Sequence, residues 1–477
     1  MLFRSTGRPK GVSVEHGQLF NYVKGVTERL ELAECRSFAT VSTFAADLGH
    51  TAIFPALCGG AALHVICSEM LSDGDALGEY FQTNEIDCLK IVPSHMSSLL
   101  SCSNPAALIP RKRLIFGGEA SGWDLVQQIH SLAPNCRLFN HYGPTETTVG
   151  VLTYPVDPQR PSQYSSTVPI GKPLPNSTAF ILDSTGSPVP IGVAGELYIG
   201  GRGLARGYFN KLEQTNARFA AASLPEAGQQ RLYRTGDMVR HLPDGNIEFL
   251  GRVDNQVKIR GFRIEPGEIE AALAEHPGVS ESVVIAHGET AGDKTLIAYV
   301  VANHACPSTI SDWKDHLHGT LPEFMVPSRF IALASLPLTS NGKIDRRALP
   351  DPNTVEAEPG ALYVEPRTNL ELVLADIWAE VLGVDQVGVY GNFFDLGGHS
   401  LKATQVISRI RKTLHIEAGM RDIFVEPTVA GFARSIEGDV NRRQTAERAA
   451  EVYAKLARLS DEEVEAMLAE RALAGAE

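Results

Sequence analysis

Short apolar segments alternate with amphipathic segments between Val12 and about Leu250. The segments between the apolar ones, such as residues 74–84 and 124–132, carry apolar side chains at helical spacing. The apolar segments are short enough to be strands, and they lie at residues 61–66, 89–92, 113–116 and 138–141. Strands that alternate with helices predict an α/β layer whose strands run parallel.

The pattern changes after Tyr154, where strand-like segments follow one another with turns between them. These turns contain aspartate and glycine, which is typical of hairpins. The strand-like segments lie at residues 179–182, 195–200, 238–242 and 246–249. Residues 256–350 then predict a small α+β unit. Its expected helices are residues 265–275 and 311–317, and its expected strands are residues 281–287 and 295–301.

The last part of the chain predicts a helical unit. Prolines and few apolar residues make residues 351–365 an exposed linker. Thr368 and Glu371 have the spacing of a capping box, and an apolar stripe at helical period follows it, as another does in residues 400–414. Residues 439–477 predict a helical tail with a second capping box at Ser460–Glu463. This tail either docks on a partner or is a free solvated helix.

Composition and charge narrow the possible functions. A chain of 477 residues is long enough for about three domains. A net charge of −13 argues against a nucleic-acid partner, and the absence of a long apolar run argues against a membrane partner. The first eleven residues do not resemble a secretory signal, and the seven cysteines lack CxxC spacing. These features predict a cytoplasmic protein with reduced thiols.

A glycine-containing loop near the start could cradle phosphate oxygens. Ser5 and Thr6 supply hydroxyl groups, Gly7 lets backbone amides approach a phosphate, and Lys10 supplies a positive charge. Taken alone, such a segment is more often an ordinary loop.

Two acidic residues could act in nucleotide binding. Glu146 lies among hydroxyl groups in the segment 142–148, where it could hold Mg²⁺ or could simply cap a helix. Asp237 follows a glycine on an expected tight turn, where it could bind ribose hydroxyl groups or could be a solvated turn residue. Arg252 could pair with a phosphate or sugar, or could form a surface salt bridge.

The order and spacing of these motifs match one family. The chain resembles the adenylate-forming enzymes, and specifically the adenylation domain of nonribosomal peptide synthetases followed by a peptidyl carrier domain. The resemblance extends from Arg4 to about Glu437. Further segments that match the family are residues 195–201, 258–265, 321–327, 341–346 and 395–401.

The resemblance implies a fold with three parts. The large adenylation subdomain (1–253) would be α/β with a β-barrel-like part, and the small subdomain (254–350) would be α+β. After the linker, residues 366–438 would form an all-α carrier domain of four helices. The family has a substantial segment before the phosphate loop, so the resemblance also implies that the large subdomain is truncated at its N-terminus.

The resemblance also implies roles for named residues. The amino-acid carboxylate attacks the α-phosphate of ATP, and Lys343 bridges the carboxylate and phosphate oxygens. Glu146 holds Mg²⁺, Asp237 binds the ribose with support from Arg252, and the small subdomain swings about a hinge near Asp254 and Lys258. The remaining ATP-binding residues are Ser5, Thr6, Gly7 and Lys10 at the phosphates, Asn140 and Tyr142 at adenine, and Thr145.

Ser400 has two interpretations. It begins an amphipathic segment and could simply be a helix N-cap. In its Leu-Gly-Gly-His-Ser-Leu context, it resembles the serine that receives 4′-phosphopantetheine from a phosphopantetheinyl transferase.

The family's selectivity positions suggest an acidic substrate. They correspond to Asp47, Leu48, Thr51, Lys90, Ile115, Gly117, His141, Val149, Gly150 and Lys343. Asp47 would bind the substrate α-ammonium group, which leaves Lys90 and His141 facing the side chain. Because a buried lysine needs an anion, the expected substrate is L-aspartate or a β-substituted aspartate, and asparagine is disfavoured. Alternatively, Lys90 points to solvent and His141 only packs.

The predicted function is therefore that of a ligase of secondary metabolism. It would adenylate an amino acid and load it on its own carrier domain, working with other synthetase modules such as a condensation domain in trans. Two alternatives stay open: an impaired remnant that acts only as a carrier or interaction module, and a CoA ligase. The carrier motif argues against the CoA ligase, because a released thioester needs no tethered arm.

Overall fold

The structure is a computed structural model, and the chain divides into two compact units, Met1–Ala348 and Leu349–Glu477. The predicted sites Ser5, Thr6, Gly7 and Lys343 and the capping box at Ser460–Glu463 lie outside the described residues. The described residues are 2–4, 9–44, 46–67, 70–71, 73–159, 165, 167–224, 228–254, 256–259, 262–288, 294–303, 305–337, 344–352, 363–394, 396–398 and 400–456.

Strands occur only in the first unit of the described chain. In chain order they are β1 (Leu2–Arg4), β2 (Pro9–Ser13), β3 (Ser37–Thr40), β4 (Ala62–Val65), β5 (Cys88–Ile91), β6 (Arg113–Phe116), β7 (Arg137–Tyr142), β8 (Leu152–Val156), β9 (Lys172–Pro173), β10 (Ser177–Leu182), β11 (Gly195–Gly201), β12 (Gly207–Tyr208), β13 (Phe219–Leu224), β14 (Gly228–His241), β15 (Ile247–Arg252), β16 (Val257–Ile259), β17 (Phe262–Ile264), β18 (Val279–His287), β19 (Thr295–Ala302) and β20 (Arg329–Leu333).

Helices occur in both units. In the first unit they are α1 (His16–Arg29), α2 (His50–Gly59), α3 (Gly74–Thr83), α4 (Pro93–Leu99), α5 (Trp123–Leu132), α6 (Leu212–Arg218), α7 (Pro266–Ala274) and α8 (Ile310–Thr320). In the second unit they are α9 (Asn369–Leu382), α10 (Ser400–Leu414), α11 (Met420–Val425), α12 (Val429–Glu437) and α13 (Val440–Leu456). Short 3-10 turns include Asp47–Gly49 and Thr145–Thr147.

The central feature of the first unit is a seven-stranded sheet in the order β4-β3-β5-β6-β7-β8-β9. The strands from β4 to β7 run parallel, whereas β8 and β9 are antiparallel. Every residue of β3, β5 and β6 is buried, and most of them are apolar, as is typical of central parallel strands. The polar exceptions are Ser37, Thr40, Lys90 and Arg113. The predicted α/β layer is confirmed, with the expected strands at β4 to β7 and the expected helices at α3 and α5.

A second sheet is antiparallel, with the order β10-β11-β14-β13 and β15 paired to β14. It contains the predicted hairpin strands. Among the described residues its two edges do not pair with each other, so the barrel-like part stays a prediction. One boundary was wrong: β14 runs from Gly228 to His241, whereas the sequence predicted a turn at residues 233–237 and a strand from residue 238. Gly236 has a φ of 76°, which bends the chain without ending the strand, because glycine adopts this conformation without strain.

The rest of the first unit is α+β, as predicted. Strands β18, β19 and β20 form one sheet, with β19 antiparallel to β18 and parallel to β20. Helices α7 and α8 pack beside it around a core that includes Leu273, Trp313 and Phe330. The helices and strands expected between residues 256 and 350 are therefore present.

The second unit is helical, as predicted. Helices α9 to α12 surround a core that includes Trp378, Phe393 and Phe432. Helix α13 belongs to the same core, because Ala446 and Ala450 are fully buried in it. A free solvated tail helix is therefore wrong for the range Val440–Leu456. Across the described parts of both units, no helix combines the length and apolar character that a membrane span needs.

Candidate active site

The parallel sheet brings several predicted site residues to one edge. Lys90 is near the end of β5, Gly117 directly follows β6, and His141 and Tyr142 end β7. Because adjacent parallel strands end at the same edge, these residues become neighbours although the chain separates them widely. The side chains predicted for substrate and for nucleotide binding therefore face a common region.

Lys90 lies at the centre of a buried polar cluster. Its side chain is 3% exposed, and its Nζ donates to Thr51 Oγ1 at 2.8 Å and contacts His141 Nδ1 at 2.9 Å. Burial lowers the pKa of Lys90 from 10.5 to about 7, although the nearby Asp47 carboxylate opposes this shift. The alternative in which Lys90 points to solvent is thus excluded.

His141 is a neutral donor in this cluster. Burial and the nearby Lys90 lower its pKa well below the usual range, and the Lys90 ammonium can only donate to Nδ1. While Lys90 is protonated, the ring proton therefore lies on Nε2, which is buried and has no hydrogen-bond partner among the described residues. A Cβ at Gly150 would lie only 2.3 Å from Nε2, so glycine is required there for the ring to occupy this place.

Asp47 lies in the 3-10 turn before α2. Burial raises its pKa from 3.8 to about 6, whereas a hydrogen bond with Thr145 and the charge of Lys90 act in the opposite direction. Its Oδ2 is buried without a hydrogen-bond partner in the described part of the chain. A buried carboxylate oxygen without a partner is costly unless a ligand supplies a donor.

The other predicted substrate positions surround the same cluster. Ile115 is fully buried on β6, Val149 is buried with a φ of 68°, and Leu48 is half-buried beside Asp47. A Cβ at Gly117 would lie 2.7 Å from the backbone oxygen of His141 and 3.0 Å from Lys90 Cε, so only glycine fits there. The selectivity positions within the described chain therefore belong to one region, although they come from five separate segments.

A neighbouring cavity contains the residues predicted to bind adenine. It is lined by Asn140, Tyr142, Glu119, Ala120, Ile170 and Phe249, among others. The Asn140 side-chain amide donates to the backbone oxygens of Val168 and Pro169, at 3.3 and 2.9 Å, which fixes its orientation. Glu119 and Ala120 also line this cavity, although no motif in the sequence pointed to them.

The predicted ribose-binding aspartate lies beside this cavity. Asp237 is 2% exposed, so a solvated turn aspartate is wrong. Its Oδ1 accepts from Arg252 Nη1 at 2.7 Å, and its Oδ2 accepts from the Tyr142 hydroxyl. Arg252 also binds Asp254 at the predicted hinge, at 2.6 and 2.7 Å, and the Lys258 ammonium lies 5.4 Å from the centre of the Tyr142 ring.

Tyr208 connects two motifs that the sequence left separate. Its hydroxyl donates to Glu146 Oε1 at 2.6 Å, and the Lys10 ammonium lies 4.4 Å from the centre of its ring. Glu146 and Lys10 are both buried. Lys10, which lies on β2 rather than in a loop, and Glu146 thus share one neighbour. Tyr208 had no motif signal in the sequence.

Glu146 is compatible with Mg²⁺ only as part of a shared site. Within the described ranges, no group of three or more His, Cys, Asp and Glu side chains could hold a metal ion by itself. Mg²⁺ is often bound by one or two carboxylates together with substrate phosphates. Glu146 fits such an arrangement because it is a single buried carboxylate that shares Tyr208 as a neighbour with Lys10.

In the second unit, Ser400 is the first residue of α10 rather than the residue before it. Gly398, two residues before Ser400, has no room for a side chain, since a Cβ there would lie 2.3 Å from the backbone oxygen of Phe393. Gly397 has a φ of 87°, which also requires glycine. The predicted modification site therefore lies at the start of a helix, shortly after two glycines that no other residue could replace without strain or a clash.

Three family models match the chain. The model described as AMP-binding enzyme matches residues 5–209, and the AMP-binding enzyme C-terminal domain matches residues 268–343. The phosphopantetheine attachment site model matches residues 373–436. Together they cover both units and include Lys343 and Ser400.

Curated relatives and solved structures agree with these models. Tyrocidine synthase 3 of Brevibacillus parabrevis is 40% identical over 443 residues, which are 93% of this chain and 7% of that protein. Surfactin synthase subunit 1 of Bacillus subtilis (strain 168) is 41% identical over 432 residues, which are 91% of this chain and 12% of that protein. The chain thus spans a small part of the length of these relatives.

Among solved structures, holo-PA1221 is described as an NRPS protein containing adenylation and PCP domains. It matches with a TM-score of 0.75 and 26% identity, over 93% of this chain and 73% of that chain. The chain therefore belongs to the AMP-binding enzymes, and within them to the ATP-dependent, amino-acid-activating adenylation domains of nonribosomal peptide synthetases that are followed by a phosphopantetheine carrier domain.

Proposed function

We propose that this chain activates L-aspartate, or a β-substituted aspartate, with ATP and loads it on its own carrier domain. The observation that carries the choice of substrate is the buried Lys90 ammonium between Thr51 and His141. An anionic side chain would offset the cost of burying this charge. At the other end, the unpartnered Oδ2 of Asp47 would accept a hydrogen bond from the substrate α-ammonium group.

The proposed reaction is adenylation of the substrate carboxylate, with the nucleotide held by the residues beside the adenine cavity. The substrate α-carboxylate attacks the α-phosphate of ATP, the bond to the β-phosphate breaks, and pyrophosphate leaves. Asp237 and Arg252 would hold the ribose, and Asn140 and Tyr142 would hold adenine. Lys343 would stabilise the charge that develops between the carboxylate and the phosphate.

Two further groups complete the proposal. Glu146 would hold Mg²⁺, which neutralises phosphate charge when it is bound. A phosphopantetheine arm on Ser400, attached by a phosphopantetheinyl transferase, would supply the thiol that carries the aminoacyl group. The small subdomain would rotate about a hinge near Asp254 and Lys258 between the adenylation step and the thioester-forming step. Other synthetase modules would then accept the aminoacyl group from the carrier.

Pyrophosphate exchange into ATP tests this proposal directly. With the full chain we expect exchange with L-aspartate, weaker exchange with L-asparagine, and little with L-leucine. L-Glutamate differs from L-aspartate by one methylene, which changes specificity by only about 1–3 kcal/mol, so it is the most demanding comparison. Preference for a neutral amino acid would contradict the acidic substrate, and absence of exchange with every amino acid would contradict the adenylation activity.

The pH dependence of substrate binding follows from Lys90 and Asp47. Aspartate needs the protonated form of Lys90, whose pKa is lowered to about 7, so the KM for aspartate should rise above that pH by up to about tenfold per unit. The α-ammonium group needs ionised Asp47, whose pKa is raised to about 6, so KM should also rise below that pH. We expect a minimum between these values in exchange assays.

Asparagine is the control for this profile. Its neutral side chain does not need the Lys90 charge, so its KM should rise on the acidic side only. Equal alkaline increases for both amino acids would show that Lys90 does not face the substrate side chain.

Asp237→Asn should weaken ATP binding. The change keeps the shape but removes the charge that would bind ribose hydroxyl groups, and a hydrogen bond to a charged group contributes about 1.5–3 kcal/mol. We expect the KM for ATP to rise about tenfold to a hundredfold, whereas the KM for aspartate stays the same. Asp244→Asn is the matched control, because Asp244 is an exposed turn residue that binds Asn246. An unchanged KM for ATP would contradict the role of Asp237.

A further inference from the structure

Tyr22 lies in the polar cluster although no motif includes it. It is on α1, is 2% exposed, and its hydroxyl is 2.8 Å from Thr51 Oγ1. Its ring stacks on His141, with ring centroids 5.9 Å apart and an angle of 15° between the planes. Tyr22 therefore contacts both residues that flank the Lys90 ammonium.

The hydrogen bond from Tyr22 affects how the Thr51 hydroxyl can accept from Lys90. Thr51 Oγ1 accepts from Lys90, and its other hydrogen bond is the one with Tyr22. Burial raises the pKa of Tyr22, so the phenol stays protonated and can donate to Thr51. When Tyr22 donates, Thr51 accepts two hydrogen bonds, and its own hydroxyl hydrogen is left to point elsewhere.

The same arrangement holds the imidazole. The Tyr22 ring packs against one face of His141, while the backbone at Gly150 lies against Nε2. A stacked aromatic pair contributes beyond its buried area, so the ring is held in the orientation that keeps Nδ1 on Lys90. Without this support the imidazole could turn, and the Lys90 ammonium would lose one of its two acceptors.

We infer that Tyr22 is a specificity-determining positioning residue, which holds Thr51 and His141 so that the Lys90 ammonium is presented to an acidic substrate side chain. The inference rests on the proposed function for the substrate class. It adds a residue of α1 outside the family's selectivity positions named above. A purely structural role in the core would predict lower stability without a change in selectivity.

Tyr22→Phe separates these two roles, because it removes the hydroxyl and keeps the ring. In pyrophosphate exchange with the full chain, we expect the KM for L-aspartate to rise about tenfold, with kcat changed less than about twofold. The KM for L-asparagine should change much less, so the ratio between the two amino acids is the readout. Tyr22→Leu should have a larger effect, because it also removes the stacking on His141.

Tyr80→Phe is the matched control. The Tyr80 hydroxyl also contacts a histidine, since it lies 2.9 Å from His64 Nδ1 and the two rings are 5.8 Å apart. This pair is away from Lys90, because His64 is on β4, Lys90 is on β5, and β3 lies between these strands in the sheet. Tyr80→Phe should therefore leave both KM values unchanged. Thermal unfolding of each variant checks that the fold is retained. Equal KM ratios for wild type, Tyr22→Phe and Tyr80→Phe would overturn the inference.

A binding measurement separates failure of this inference from failure of the proposed activity. Isothermal titration calorimetry with L-aspartate needs no turnover, and it needs no reagent to reach the buried Lys90. In the wild type, L-aspartate should bind. Its Kd should be about tenfold higher in Tyr22→Phe and unchanged in Tyr80→Phe. Binding without exchange would contradict the activity alone. An equal Kd in wild type and Tyr22→Phe would overturn the inference, and absence of binding to the wild type would contradict the proposed substrate and with it the inference.

Discussion

Ser400→Ala is expected to abolish phosphopantetheine attachment completely. The change removes the only atom of this residue that can form the phosphodiester bond, so the effect is all or none. Intact mass after incubation with CoA and a phosphopantetheinyl transferase should show one added group on the wild type and none on the variant. Exchange of pyrophosphate with aspartate should continue in the variant, because it needs no carrier thiol.

Ser408→Ala is the control for this change. Ser408 lies on the same helix, α10, and is half-buried. It should be modified as fully as the wild type. Equal modification of wild type and Ser400→Ala would place the attachment site elsewhere, and lack of modification of the wild type would contradict the carrier function. Retained exchange in Ser400→Ala would show that the two units act in separate steps.

Lys90→Met is expected to remove the preference for aspartate. Methionine keeps much of the buried volume but leaves the acidic substrate without a charge partner. Losing one member of a buried charge pair costs about 2–5 kcal/mol, which is about 30-fold to several thousandfold in affinity. Exchange assays should therefore show kcat/KM for aspartate reduced by that factor, with asparagine affected far less.

Lys112→Met is the matched control for Lys90. Lys112 pairs with Asp87 at 3.0 Å and donates to the Glu34 backbone oxygen, and its side chain is 34% exposed. Losing it should leave the aspartate to asparagine ratio unchanged. If Lys90→Met keeps the wild-type ratio, the acidic side chain does not bind at Lys90. Thermal unfolding of each variant shows whether a change in selectivity comes from the lost charge or from a lost fold.

Local pattern predicted most of the secondary structure. Strands β4 to β7 of the parallel sheet, helices α3 and α5, and the α+β elements lie where periodicity placed them, whereas β3 (Ser37–Thr40) was not predicted. The predicted turn at residues 233–237 was wrong, since β14 pairs with β11 on both sides of Gly236 and with β15 from Asp237 onward. Pairing with neighbouring strands outweighed the local turn signal there, because each added ladder hydrogen bond favours an extended chain.

In the second unit, too, the hydrophobic pattern predicted some buried helix faces and missed another. The apolar stripes of α9 and α10 predicted their buried faces. In contrast, α13 has few large apolar residues, so the sequence predicted a partner-binding or solvated tail helix and not one that packs in the carrier core. Its alanines, Ala446 and Ala450, let it approach the other helices closely and become buried in their core. Small residues carry little signal in a hydrophobic pattern, although they permit close packing.

The sequence by itself determined the family and predicted Lys343 and Ser400 as site residues, because these depend on contiguous motifs. Only the tertiary structure decided that Lys90 is buried and that Tyr22, Thr51 and His141 surround it. Those contacts join residues 29, 39 and 51 positions apart. Strand order in the sheet and the packing of α1 and α2 create them, and no local pattern records which distant segments become neighbours.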